Sequence, residues 1–192
     1  MQRAIMDGCA QTGITTMYMA EGLDTGDMLL KAALPIAEDD NFEDVHDGLG
    51  TLGAQTMLDT LDALRAGTLT PQKQDDSLAN YAEKIQKSDL LIDFSRDATA
   101  VHNYIRGTSP IPLSFTHLPN GSLLKVYAAH VYDADKAHTA TPGTVVGLDG
   151  KILVACGKGT LALTEVIPEG KKRMAAADYI RGRKLNIGDL LS

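Results

Sequence analysis

The residues best placed to do chemistry lie in Gly22-Leu23-Asp24-Thr25-Gly26. Two glycines bracket one acidic residue, so the backbone there has access to conformations closed to other residues. Apolar runs rich in β-branched residues flank the segment at 14–20 and 27–36. They predict a strand, a shaped loop and a second strand. A carboxylate held on a loop between two rigid elements is a common catalytic arrangement. The same five residues also read as an Asx turn in which Asp24 bonds its own backbone. Spacing alone leaves both readings open.

Lys171, Lys172, Arg173, Arg181, Arg183 and Lys184 form the densest basic cluster. Such a cluster is either a solvated surface or a contact for phosphates. No aromatic platform accompanies it, which argues against base stacking on a single strand. His46, His102, His117, His130 and His138 are scattered without the spacing of metal ligands. They read as structural or surface histidines, and no metal site is expected. Cys9 and Cys156 are far apart and predict neither a metal site nor a disulfide framework, which fits a reduced interior. Gly48/Gly50 and Gly157/Gly159 lack the strand and helix context of a phosphate loop.

The elements that would position these residues follow from periodicity. Residues 2–8 read as the last turns of a helix with Gly8 past its end, although no cap precedes Gln2. Glu38-Asp39-Asp40-Asn41 supplies acids and caps for a long helix. Its apolar positions, Phe42, Val45, Leu49, Leu52, Met57, Leu58, Leu61 and Leu64, keep helical spacing up to Gly67. Gly48, Gly50 and Gly53 predict close packing or a break within it. Residues 68–88 read as a linker, with 81–85 as a short docked segment. Ser95 is the expected cap of a helix through Ala98, Val101, Tyr104 and Ile105 that ends before Pro110 and Pro112. From Leu113 the period becomes two. Hairpins are predicted about Asn120-Gly121 and Asp149-Gly150, followed by a strand over 160–167. Short strands at this spacing predict a small barrel or sandwich. A basic loop at 168–173 precedes a short helix over 174–180.

Composition is that of an ordinary globular protein, with 44% hydrophobic and 22% charged residues. No apolar run reaches membrane-spanning length, and no basic-then-apolar signal opens the chain, so a cytoplasmic protein with no membrane partner is expected. The net charge of −7 is unevenly spread. Acids dominate residues 1–97, whereas 98–192 are net basic, so a polyanion would prefer the second half.

Thr-Gly-Ile-Thr-Thr-Met-Tyr-Met followed by Gly-Leu-Asp-Thr-Gly-Asp-Met-Leu resembles methionyl-tRNA formyltransferase. The likeness continues in Tyr81-Ala82-Glu83-Lys84-Ile85, Ile92-Asp93-Phe94-Ser95, Ile105-Arg106, Pro142-Gly143, and Glu169-Gly170-Lys171-Lys172-Arg173-Met174 through Arg181-Gly182. The resemblance implies an α/β + β fold: the C-terminal part of a Rossmann-like catalytic domain at 1–67, a linker at 68–88, and an open, OB-like β-barrel domain at 89–192 that binds tRNA. It implies transfer of a formyl group from 10-formyltetrahydrofolate to the amino group of methionyl-initiator-tRNA, with no metal.

The family's catalytic trio is Asn, His and Asp, and its Asp falls on Asp24, with Gly22, Leu23 and Asp24 in the folate loop. The Asn-Val-His-Gly motif and the Ser-Leu-Leu-Pro segment do not occur in these 192 residues. The chain alone is therefore expected to be inactive, and a dimer through an incomplete catalytic domain is a further expectation. Thr108-Ser109-Pro110-Ile111-Pro112 replaces an aromatic-rich segment, and Trp is absent. Two other readings stay open: a formyltransferase acting on an amino-sugar nucleotide, and a non-catalytic RNA-binding or scaffold module.

Overall fold

The computed structural model describes residues 1–182 and 185–192. The chain forms two compact units. One comprises Cys9–Glu38 and Glu43–Lys84; the other comprises Met1–Gly8, Asp39–Phe42 and Ile85–Ser192. No helix among the described residues is long and apolar enough to cross a membrane.

In the first unit, β1 (Gln11–Met17) and β2 (Met28–Pro35) form an antiparallel pair. The first strand starts and ends three residues before the expected 14–20. Its ladder runs from Gln11 opposite Pro35 to Met17 opposite Met28, with a bulge between Thr15 and Met17. The long helix α2 (Phe42–Ala66) is continuous and ends at Gly67, which takes φ +67. The expected break does not occur. Gly48 instead permits close packing, since a Cβ there would lie 2.9 Å from Leu34.

The buried positions of this helix are Val45, Leu49, Thr56 and Thr60, not its later leucines. Thr56 and Thr60 donate to the carbonyls of Leu52 and Thr56. The Thr60 hydroxyl also meets that of Thr16 on β1 at 2.8 Å. Two hydroxyls can be buried here because both are hydrogen-bonded. Residues 79–86 have no regular structure, and Tyr81 is 83% exposed. Of the segment expected to dock at 81–85, only Ile85 is partly buried.

In the second unit, α1 (Gln2–Met6) packs on α3 (Ala98–Thr108), with Gly8 at φ +71 past its end. Gly107 allows the approach: a Cβ there would meet Met6 at 2.6 Å. The strands β3 (Phe115–His117), β4 (Leu123–Asp133), β5 (Val145–Leu148), β6 (Ile152–Ala155) and β7 (Thr160–Pro168) form one antiparallel sheet. Its order is β3-β4-β7-β6-β5, and β8 (Met174–Ala175) adds to β7. The expected Asn-Gly and Asp-Gly turns close β3 to β4 and β5 to β6, with Gly121 at φ +80 and Gly150 at φ +64. Repeated register shifts between β4 and β7 bend the sheet, as bulges do. The result is one curled sheet, not a two-sheet sandwich.

Leu124, Val126, Ile152, Val154, Leu161 and Leu163 pack with Val101 and Ile105 of α3 into a continuous core. Full burial of each large aliphatic side chain contributes about 1.5–3 kcal/mol. Two details differ from expectation. Asp97, not Ser95, precedes α3. Ser95 instead donates its hydroxyl at 2.6 Å and its amide at 3.0 Å to Asp93, whose carboxyl lies below its usual range chiefly for that reason. Met174 and Ala175 pair with β7, so helix α4 begins only at Ala176 and runs to Arg181.

Candidate functional site

The loop between β1 and β2 places Asp24 at φ +56, a left-handed conformation that aspartate tolerates better than most residues. The flanking glycines do not have positive φ, so conformational freedom is not their role. Gly26 is buried and required for space: a Cβ there would lie 1.7 Å from the Tyr18 carbonyl oxygen. Gly22 packs against Thr25. The Gln74 side-chain amide donates to the carbonyls of Asp24 at 2.7 Å and Gly26 at 2.8 Å. The Met28 and Gln72 backbones exchange two 2.8 Å hydrogen bonds beside it.

The chain beyond α2 thus braces the loop by its backbone. Among the described residues, the Asp24 carboxylate makes no hydrogen bond, so the Asx turn is not formed. The acid group is exposed to solvent next to Leu23, itself 84% exposed. Gln74 carries the bracing, and no local sequence pattern marks it.

The basic residues divide into two kinds. Arg173 lies over the Tyr127 ring, with its guanidinium carbon 3.4 Å from the centroid, and pairs with Glu165. Arg181 pairs with Asp178 one turn earlier on α4. Lys171 and Lys172 are exposed and have no ion-pair partner among the described residues. Arg183 and Lys184 lie outside the described residues.

Lys171 lines a cleft of about 530 Å³ with Leu118, Asn120, Ser122, Pro168, Glu169 and Tyr179. The Tyr179 hydroxyl is buried without a hydrogen-bond partner among the described residues, and burial pushes its pKa up. Tyr127, the aromatic surface beneath Arg173, was not signalled by sequence because it lies 46 residues from its partner.

The structure also joins residues that sequence left scattered. Asp39 of the second unit meets His102 of α3 and His130 of β4. Its Oδ1 lies 3.5 Å from His102 Nε2 and 3.0 Å from His130 Nδ1. Beside them, the largely buried Arg106 donates from Nη1 to the Asp40 carbonyl at 2.8 Å and from Nε to Asn103 Oδ1 at 2.9 Å. His46 is exposed and contacts Asp47 at 3.0 Å. His117 contacts the Ser192 carbonyl, and His138 the Thr160 hydroxyl.

Residues 1–61 match the family model for formyl transferase, and residues 84–184 match that for the formyl transferase C-terminal domain. The chain is 46% identical over 189 residues to the methionyl-tRNA formyltransferase of Citrifermentans bemidjiense, covering 97% of this chain and 58% of that protein. It thus spans under three fifths of that relative's length.

Two solved structures share the fold. HypX from Aquifex aeolicus, in complex with tetrahydrofolic acid, superposes with a TM-score of 0.67 at 17% identity, over 93% of this chain and 31% of that one. An N-formyltransferase from Helicobacter canadensis, with folinic acid and dTDP-3-aminofucose, gives a TM-score of 0.64 at 16% identity, over 83% and 58%.

Proposed function

Since the chain belongs to the formyl transferase family, we propose that it is part of a cytoplasmic methionyl-tRNA formyltransferase. Such an enzyme moves a formyl group from 10-formyltetrahydrofolate to the amino group of methionine on the initiator tRNA. In this reading residues 1–67 belong to a Rossmann-like catalytic domain, 68–88 link it onward, and 89–192 form an OB-like tRNA-binding domain. Gly22, Leu23 and Asp24 contribute to the folate site. Lys171, Lys172, Arg173 and Arg181, with Arg183 and Lys184, meet tRNA phosphates. A dimer through the two-stranded unit belongs to the same proposal.

The observation that carries the reading is the state of Asp24. Its backbone is fixed by Gln74, while its carboxylate is exposed and uncommitted to its own turn. A fixed, solvent-facing acid can orient a partner group. In formyl transfer a neutral amine attacks the formyl carbon and an oxyanion develops. A protonated imidazole stabilises that charge, and an aspartate favours and aligns the imidazolium. Asp24 is then the orienting member, and an Asn and a His complete the site.

The test supplies that missing pair. A hybrid carries the N-terminal part of the Citrifermentans bemidjiense relative ahead of Met1. We expect it to formylate initiator methionyl-tRNA, whereas the 192-residue chain alone does not and Asp24→Ala in the hybrid abolishes transfer. Formylation of an amino-sugar nucleotide in preference to the tRNA would overturn the substrate. RNA binding by a hybrid that takes up no folate would favour a non-catalytic module.

A further inference from the structure

We infer that Asp39, His102 and His130 form a binding site for one divalent transition-metal ion of the zinc class. Three segments remote in sequence bring these side chains together within the second unit: the stretch before α2, helix α3 and strand β4. One donor atom from each lies within 4.8 Å of the other two.

Both imidazoles point to the same carboxylate oxygen, at 3.0 and 3.5 Å. A carboxylate that served only as acceptor for two rings has two oxygens to offer them. Convergence on one oxygen instead sets three donors around a common point. Zinc-class ions take nitrogen and oxygen ligands at about 2.0–2.2 Å, which places adjacent donors about 3–3.5 Å apart. The two edges to the carboxylate oxygen already match, and the ring-to-ring edge closes by a small side-chain movement. The rings lie 6.2 Å apart at a 37° tilt, so neither stacks on the other in a way that blocks approach.

The donor set selects the ion. Two imidazoles and one carboxylate suit zinc, nickel or copper, and not magnesium or calcium, which prefer oxygen ligands. The Arg106 guanidinium lines the same small cleft and opposes a dication. The Asp39 charge offsets it, and the nitrogen ligands supply the affinity that charge alone would not. His102 is 4% exposed and cannot swing away, whereas Asp39 and His130 reach in from the exposed side. One fixed ligand and two accessible ones leave a fourth position for water or a small anion. The ion would pin the Asp39–Phe42 segment to α3 and β4, next to the Arg106 bond to Asp40 and the Phe42 bond to Ser109.

Titration of the metal-stripped 192-residue chain with Zn²⁺ against a chromogenic chelator tests this. We expect one equivalent to bind and the melting temperature to rise with Zn²⁺ concentration. Asp39→Asn and His130→Ala, both at exposed positions, should each weaken binding at least about tenfold and abolish the rise. Cys9→Ser and His46→Ala should leave both unchanged, because Cys9 and His46 are the other exposed soft ligands. Co²⁺ should give visible d–d absorption that is lost in His130→Ala. The site is refuted by no stoichiometric binding, by binding that survives both ligand variants, or by an equal response to Mg²⁺.

Discussion

The two units bury their apolar residues very differently. In the unit dominated by residues 85–192, sheet and helices enclose a continuous cluster running from Ile92 and Phe94 to Leu185 and Leu191. In the unit of Cys9–Glu38 and Glu43–Lys84, the buried set is short: Ile36, Val45 and Leu49 with Thr16, Thr56 and Thr60. Met57, Leu58, Leu61 and Leu64 of α2 remain about half exposed. The second unit is held by area removed from water. The first is held by hydrogen bonds and close backbone approaches: the Thr16 and Thr60 hydroxyls, the Gln74 amide, and Gly26 under the Tyr18 carbonyl. The large apolar core lies in one unit and the presented acid in the other.

The sharpest way to break this contrast is to damage the core. Ile105→Ala, at a fully buried position, should cost about 2–5 kcal/mol in denaturant unfolding of the second unit. A loss near zero would mean that the core is not the source of stability.

Alkaline pH should weaken the same unit. Burial pushes the Cys156 thiol from 9.0 to about 12. The native state then keeps a proton that the unfolded chain releases, so stability is fully present below about pH 9 and falls as pH rises toward 12. Buried Tyr179 and partly buried Tyr104, both raised, add to the decline above 10. Melting temperatures from pH 7 to 11 should fall less steeply in Cys156→Ala; parallel curves would contradict the buried thiol.

Effects in the first unit are smaller and local. Gly26→Ala should cost about 1–3 kcal/mol by overpacking, and Gln74→Ala about 1 kcal/mol through two lost hydrogen bonds. Hydrogen exchange should quicken at the amides of the 18–28 loop in both variants, with the second unit unaffected.

Smallest of all is the charge effect. On the proposed tRNA face, Lys171→Ala and Lys172→Ala should each lower the salt slope of tRNA binding by about 0.9. Arg173→Ala should lower it less, because Glu165 already neutralises that charge. An equal loss from all three would show that the pairing does not matter.

Where local chemistry decides the structure, sequence reading succeeds. Asn120-Gly121 and Asp149-Gly150 specify their own turns, and the period of α2 specifies a helix. Which face of α2 is buried was not legible. A hydropathy pattern places Leu58 and Leu61 inward, yet Thr56 and Thr60 take that place because their hydroxyls find carbonyls one turn back. The Asp24 loop was visible from two glycines and an acid, although the reason for the glycines was not. Contacts made only in three dimensions left no trace: Gln74 lies 50 residues from Asp24, and Asp39 lies 91 from His130.

The second unit is assembled from three separate stretches of chain. No single proteolytic cut can therefore release it whole. Cleavage in the exposed 79–84 segment would leave 85–192 with its sheet, but without α1 against Gly107 and without the Asp40 carbonyl for Arg106. Residues 2–6 are made well before α3 and must wait for it before they find their partner. Such long-range closure slows folding, and α1 stays unprotected until synthesis has passed α3.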